Sequence, residues 1–363
     1  MTTELILLTG AGGYVGRRLA HRYLETSDVR LLLPVRSAAR QAEIEADLGV
    51  PAGRVEFVPS DLESEDAYAA LDSSQLRRVT AIVHAGAVTR FNAERELAFR
   101  VNVEGTAQTL ELARHCPSLE SFGHVSSVYA TGLRDGPIVE ASTDDAHGFA
   151  NAYEESKWAA EQLVGRCDDL PWRILRVATV LADDERGTVT QYNAVHDTLR
   201  LCFYGLMSVL PGRPQTPLYF VTGDFVTDAI VQLMRPATPL GVYHLAHNRQ
   251  ESVTLEALIN LAFAEFAKDE SFRRKRILQP LLTDEESFSL LVEGMTPVAG
   301  SLLSSALRDV SPFARQLYVN KDLDNTRLRE ALDSYQCSDT SELVTNTCSQ
   351  LVSTRWGRQD ATP

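Results

Sequence analysis

No stretch of the chain approaches the ~20 consecutive apolar residues that a membrane-spanning helix needs. The opening, MTTELILLTG, has neither a basic leader nor a cleavage motif, which predicts a mature start and a cytoplasmic protein. Basic residues are in deficit, 35 Lys and Arg against 49 Asp and Glu, a formal charge of −14. That balance argues against a nucleic-acid footprint or an anionic membrane surface, both of which call for a positive face. The five cysteines, Cys116, Cys167, Cys202, Cys337 and Cys348, are scattered and show no close pair at metal-ligand spacing. Idle or buried thiols and no metal are therefore expected. His244 and His247, in YHLAHN, have no third ligand near them in sequence and read as structural. Internal repeats and low-complexity tracts are also missing. What is present is the making of a sizeable core: 44% hydrophobic and 23% charged residues over 363 positions.

The first informative stretch is LILL followed by TGAGGYVG and then RRLAHRYLE, a strand, a glycine turn and a helix. Gly10, Gly13 and Gly16 in that context let backbone amides approach a pyrophosphate at the helix N-terminus. A second run, VRLLLPVRS, ends where a dinucleotide fold meets the adenosine ribose, and no carboxylate stands there. Arg36 and Arg40 do, so a ribose 2′-phosphate meets cations, which favours NADP over NAD. RVEFVPSDL ends on Asp61 and Leu62, and TAIVHAGAV ends on Ala85, Gly86 and Ala87, small enough for a cofactor to lie against the backbone. After a helical stretch containing Asn102, FGHVSSVYATG delivers Ser126 and Ser127 to the C-terminal edge of a strand. In a parallel sheet that edge binds ligands.

Next comes YEESK. On a helix, Tyr153 and Lys157 stand one turn apart on the same face. A cation beside a phenol stabilises the phenolate and lowers its pKa, which makes such a pair useful for acid–base work near neutrality. The β, α, β alternation runs on through WRILRVATVL, so residues 1–182 are expected to form one doubly wound, Rossmann-type α/β domain. Residues 183–352 are expected to form a smaller, mostly helical substrate lobe, with strands near 218–222 and 241–246 returning to the sheet and 353–363 fraying. The run KDESFRRKR reads as a solvated face, and MTPVAGSLLSSA as either a mobile lid or a plain loop.

In this order TGAGGYVG, HAGAV, NVEGT, HVSSVYATG, YEESK and VTGDFVTDAIV resemble the extended short-chain dehydrogenase/reductases over about residues 4–250. HAGAVTRFNAERELAFRVNVEGT, with Phe91, is most similar to the thioester reductase and fatty acyl reductase branch, and LLLPVRS and LYVNKDLDNTRLREAL resemble the same branch. The resemblance implies Tyr153 as general acid, Lys157 as its partner and a ligand of the nicotinamide ribose, and Ser127 as a hydrogen-bond donor to the substrate oxygen, with Ser126 the alternative. It implies a cofactor site made of Gly10, Gly13, Tyr14, Val15, Gly16, Arg36, Arg40, Asp61, Leu62, Ala85, Gly86, Ala87, Tyr153, Lys157 and Val180. Two departures stand out: Val177 where the family has proline, and Ser60 where it has glycine.

The expected function is NADPH-dependent reduction of an acyl thioester, borne by a separate carrier protein or by coenzyme A, to an aldehyde, with the sequence leaving open whether a second hydride gives the alcohol. Two alternatives use the same fold. One is an NADP-dependent carbonyl reductase or nucleotide-sugar epimerase; the other is a non-catalytic dinucleotide sensor.

Overall fold

A computed structural model describes residues 4–49, 53–295 and 311–357. Seven short apolar runs form one parallel sheet: β1 (Leu5–Thr9), β2 (Arg30–Val35), β3 (Val55–Pro59), β4 (Val79–His84), β5 (Ser121–Ser127), β6 (Trp172–Val177) and β7 (Gly241–Leu245). Their spatial order is β7-β6-β5-β4-β1-β2-β3. The order in which strands are laid down reverses between β1 and β4, which opens a crevice at their C-terminal ends. Both faces are covered, and this explains why the strands read as continuous apolar runs rather than alternating ones. Leu5 and Leu7 of β1 pack with Leu110, Ala113 and Val164 on one side. Ile6 and Leu8 pack with Leu19, Tyr23, Ile230 and Leu233 on the other. Each such fully buried side chain contributes about 1.5–3 kcal/mol of transfer free energy.

The expectation that 218–222 and 241–246 both rejoin the sheet needs correction. Gly241–Leu245 is the edge strand β7, but Phe220–Thr222 pairs in parallel with Thr179–Ala182, outside the sheet. The ladder parts at one residue. Ala178 N–H donates to the Leu245 carbonyl, whereas Thr179 N–H donates to that of Tyr219. Leu181 and Phe220 are thereby drawn into a second apolar core with Leu199, Phe203, Phe263, Phe266, Phe272 and Leu343.

That second core comes mainly from the helices Ala194–Tyr204, Leu255–Phe266 and Thr340–Ser353. Ser353 ends the last helix, but Trp356, expected to fray, is only 5% exposed and packs into this core. The rest of the expected frayed tail, residues 358–363, lies outside the described residues, as does the expected lid or loop from residue 296. In the charged run, Phe272 is buried while Arg274 pairs with Glu270 at the surface. Among the described residues no helix is long and apolar enough to cross a membrane.

Candidate active site

The glycine turn is shaped by contacts that no side chain could survive. Gly10 has φ +74°, and a Cβ there would lie 2.6 Å from Gly86 N; one on Gly16 would lie 2.2 Å from the Gly10 carbonyl oxygen. The turn is thus pressed against the end of β4 while Gly13 N–H closes on Gly10 O at 2.8 Å. Gly13 then caps the Tyr14–Thr26 helix without a side-chain hydrogen bond, and the first turn holds no acidic residue. Its leading amides are left for an anion, with the helix dipole behind them.

The resulting cleft, about 300 Å³, is lined by Gly10, Gly12, Gly13, Arg36, Arg40, Asp61, Leu62, Ala85, Gly86 and Ala87, among others. Arg36 is largely exposed and pairs with Glu63 at 3.2 Å. Arg40 lies along Gly12, where a Cβ would come within 2.9 Å of its Cδ, and its guanidinium meets Glu43 at 2.6 Å. A backbone cradle for a diphosphate with two guanidinium groups at its outer end fits an adenine dinucleotide bearing a 2′-phosphate.

The side chains of Tyr14, Val15 and Val180, also expected at the cofactor, do not line this cleft. Tyr14 turns its hydroxyl away and donates to Asp183 Oδ1 at 2.5 Å, and Val15 packs against the core. Both can offer the cleft only backbone amides. Val180 lines a separate small recess with Tyr14 and Asp183.

β5 and the Ala152–Gly165 helix bring the chemical groups together. Asn151 caps that helix by accepting from Glu154 N–H at 3.1 Å, which fixes Tyr153 in its first turn. The Tyr153 phenol faces the Ser127 hydroxyl, whose oxygen accepts from Tyr129 N–H at 3.2 Å. Burial dominates the titration of Tyr153 and pushes it up to about 12, with the Ser127 hydroxyl acting in the opposite direction. Lys157 Nζ donates to the Val125 carbonyl at 2.7 Å, and burial lowers its pKa to about 8 against the pull of Glu161. At neutral pH the site therefore holds a protonated phenol and a largely protonated lysine, a different balance from the cation-lowered phenol that the spacing suggests.

Ser126 and Ser127 are distinguished by what they touch. Ser126 donates to buried Glu161 at 2.5 Å, and Glu161 in turn accepts from Arg176 at 2.6 Å. Its hydroxyl is committed to the interior, whereas that of Ser127 meets Tyr153.

Asn102 went unassigned in the sequence. It lies in a π-helical turn, Arg100–Glu104, between the helices Arg95–Phe99 and Gly105–Arg114. Its amide accepts from Val88 N–H at 2.8 Å and donates to the Val88 carbonyl at 3.0 Å and the Ser156 hydroxyl at 2.9 Å. It ties the loop after β4 to the helix carrying Tyr153. The only sequence signal was its place in NVEGT. Phe91 stands with its ring centroid 5.6 Å from that of Tyr153, and Phe313 stacks on Phe91 at 5.2 Å.

Both ring nitrogens of His244 are engaged, but only Nδ1 of His247 is. His244 bridges Arg176 and the Asp324 carbonyl, at 3.2 and 2.6 Å. His247 approaches Glu251 and Cys337, but the Tyr335 hydroxyl bridges His247 and Glu251, and Arg329 takes the other Glu251 oxygen.

This fold and this site define an extended short-chain dehydrogenase/reductase, an NAD(P)-dependent oxidoreductase. Residues 8–230 match the NAD-binding family described as Male sterility protein, and the chain belongs to that family. The terminal R domain from the myxalamid PKS-NRPS biosynthetic pathway superposes with a TM-score of 0.78 at 25% identity, covering 98% of this chain and 92% of that one. The Aldehyde reductase lnaA of Aspergillus flavus is 25% identical over 366 residues, 92% of this chain and 34% of that protein. The Carboxylic acid reductase of Mycobacterium tuberculosis is 31% identical over 215 residues, 49% of this chain and 18% of that protein. The chain spans about a third or less of the length of these curated relatives.

Proposed function

We propose that the chain is an NADPH-dependent reductase of acyl thioesters, presented by a carrier protein or by coenzyme A. The observation that carries this reading is the Ser127–Tyr153 hydroxyl pair at the edge of β5, with the glycine cleft on one side and an apolar lobe on the other. A bound NADPH supplies a hydride to the acyl carbon. Ser127 and Tyr153 hold the carbonyl oxygen by hydrogen bonds that strengthen as negative charge builds on it. Tyr153 holds the proton that oxygen needs, and Lys157 places a cation one helical turn away, easing the phenolate left behind. Collapse of the hemithioacetal breaks the C–S bond and leaves an aldehyde and a thiol. Reduction of thioesters with identified aldehyde or alcohol product tests the reading; consumption of NADPH with free ketones alone would replace it with a carbonyl reductase.

Two further expectations concern the groups around that pair. In Arg36→Ala combined with Arg40→Ala, the Kd for NADPH is expected to rise about 10- to 100-fold while that for NADH changes little, because only the 2′-phosphate meets those cations. Equal losses for both cofactors, read by fluorescence titration, would make the two arginines ordinary surface charges. The pH profile of kcat/KM is expected to fall as pH rises through about 8, where Lys157 loses its proton in the free enzyme. Tyr153, held up to about 12, stays protonated across that range. A profile flat to pH 10 would separate Lys157's charge from the reaction.

A further inference from the structure

Behind the catalytic hydroxyls lies an apolar cavity of about 60 Å³ in the second core, walled by Leu199, Leu218, Leu255, Leu258, Ile259 and Phe263. Its aromatic side is Tyr129 and Phe313, whose rings meet edge to face at 5.3 Å. Both also contact Phe91, which in turn contacts Tyr153. A single layer of rings therefore separates the cavity from the reacting carbonyl.

The few hydroxyls on the wall are already satisfied within the protein. Tyr129 and Thr179 hydrogen-bond each other at 2.7 Å, Thr198 donates to the Ala194 carbonyl at 2.7 Å, and Tyr219 donates to the Lys321 carbonyl at 2.9 Å. A polar ligand would leave its own groups unpaired there, and water finds too few partners to be held. On the scale at which an apolar cavity of about 150 Å³ holds benzene, the space takes about two or three carbons.

We propose that the acyl group of the substrate is an apolar chain whose last carbons, about two or three, fill this cavity. The carbonyl rests on Ser127 and Tyr153, and the chain passes Phe91 and enters between Tyr129 and Phe313. The proposal rests on the thioester reading above, and its test keeps the two apart.

The test measures kcat/KM for acyl-N-acetylcysteamine thioesters from acetyl to dodecanoyl and for the succinyl thioester, with aldehydes of matching length in parallel. Each added methylene that enters the cavity is expected to raise kcat/KM about fourfold until the cavity is full, with no gain thereafter, and the carboxylate-bearing succinyl group is expected to be a poor substrate. Ala262→Phe, which fills the cavity, should move the preferred length to shorter chains, and Ile259→Ala, which enlarges it, to longer ones. Thioester reduction without dependence on length, or with the same preferred length in both variants, overturns the cavity assignment and leaves the thioester reading standing. Inert thioesters beside aldehydes that show the length dependence have the opposite meaning: the cavity assignment stands and the thioester reading falls.

Discussion

Tyr153→Phe is expected to lower kcat by about 10²- to 10⁴-fold, the range of a lost general acid, while NADPH affinity stays near that of the unaltered protein. The phenylalanine keeps the ring that packs edge to face on Phe91, so the change removes one hydroxyl and little packing. Ser127 keeps its bond from Tyr129 N–H, and the developing oxyanion retains one donor instead of two. Steady-state kinetics beside a cofactor titration separates the effects. Turnover within a few-fold of the unaltered enzyme would remove Tyr153 from the reaction and leave the fold as a binding scaffold.

The other large effect concerns stability. Arg176→Met leaves the Glu161 carboxylate buried with only the Ser126 hydroxyl still donating to it. Both members of this pair are almost wholly inaccessible to solvent, at 0% and 2% exposure. Breaking such a pair from one side costs about 3–5 kcal/mol, because an unpaired charge stays in a low-dielectric site. Urea unfolding should show a lower midpoint with an unchanged slope. Replacing Glu161 by leucine in the same chain should recover part of the loss, since the stranded charge is then gone. A single variant as stable as the unaltered protein would mean that Glu161 takes up a proton or reaches water at little cost. Activity should fall with stability, because Ser126 precedes Ser127 on β5 and Glu161 lies on the Tyr153 helix.

Much of the first lobe was legible because its signals are local. The Gly10, Gly13 and Gly16 turn, Arg36 at the end of β2 and the helical spacing of Tyr153 and Lys157 depend on residues close together in the chain. The choice of Ser127 over Ser126 was not local: it follows from Glu161, 35 residues beyond Ser126, claiming one hydroxyl. The titration of Tyr153 likewise depends on burial that the spacing does not show. The spacing shows a cation nearby, but burial by Phe91 and its neighbours outweighs it, and the lysine is directed to the Val125 carbonyl.

The C-terminal half hid more. Lys321–Leu323 adds a strand to Gly136–Ile138, and Glu140 accepts from the backbone of His244, Arg327 and Leu328, tying together segments more than 100 residues apart. The sequence by itself determined the class of fold, the phosphate-binding turn and the types of chemical group available, because glycine geometry, strand hydrophobicity and helical period act within a few residues. Tertiary structure alone decided which serine faces the tyrosine, how the phenol titrates, where Thr179–Ala182 leaves the sheet and what shape the apolar cavity takes. Those outcomes depend on burial and on partners that only folding brings within a few ångströms.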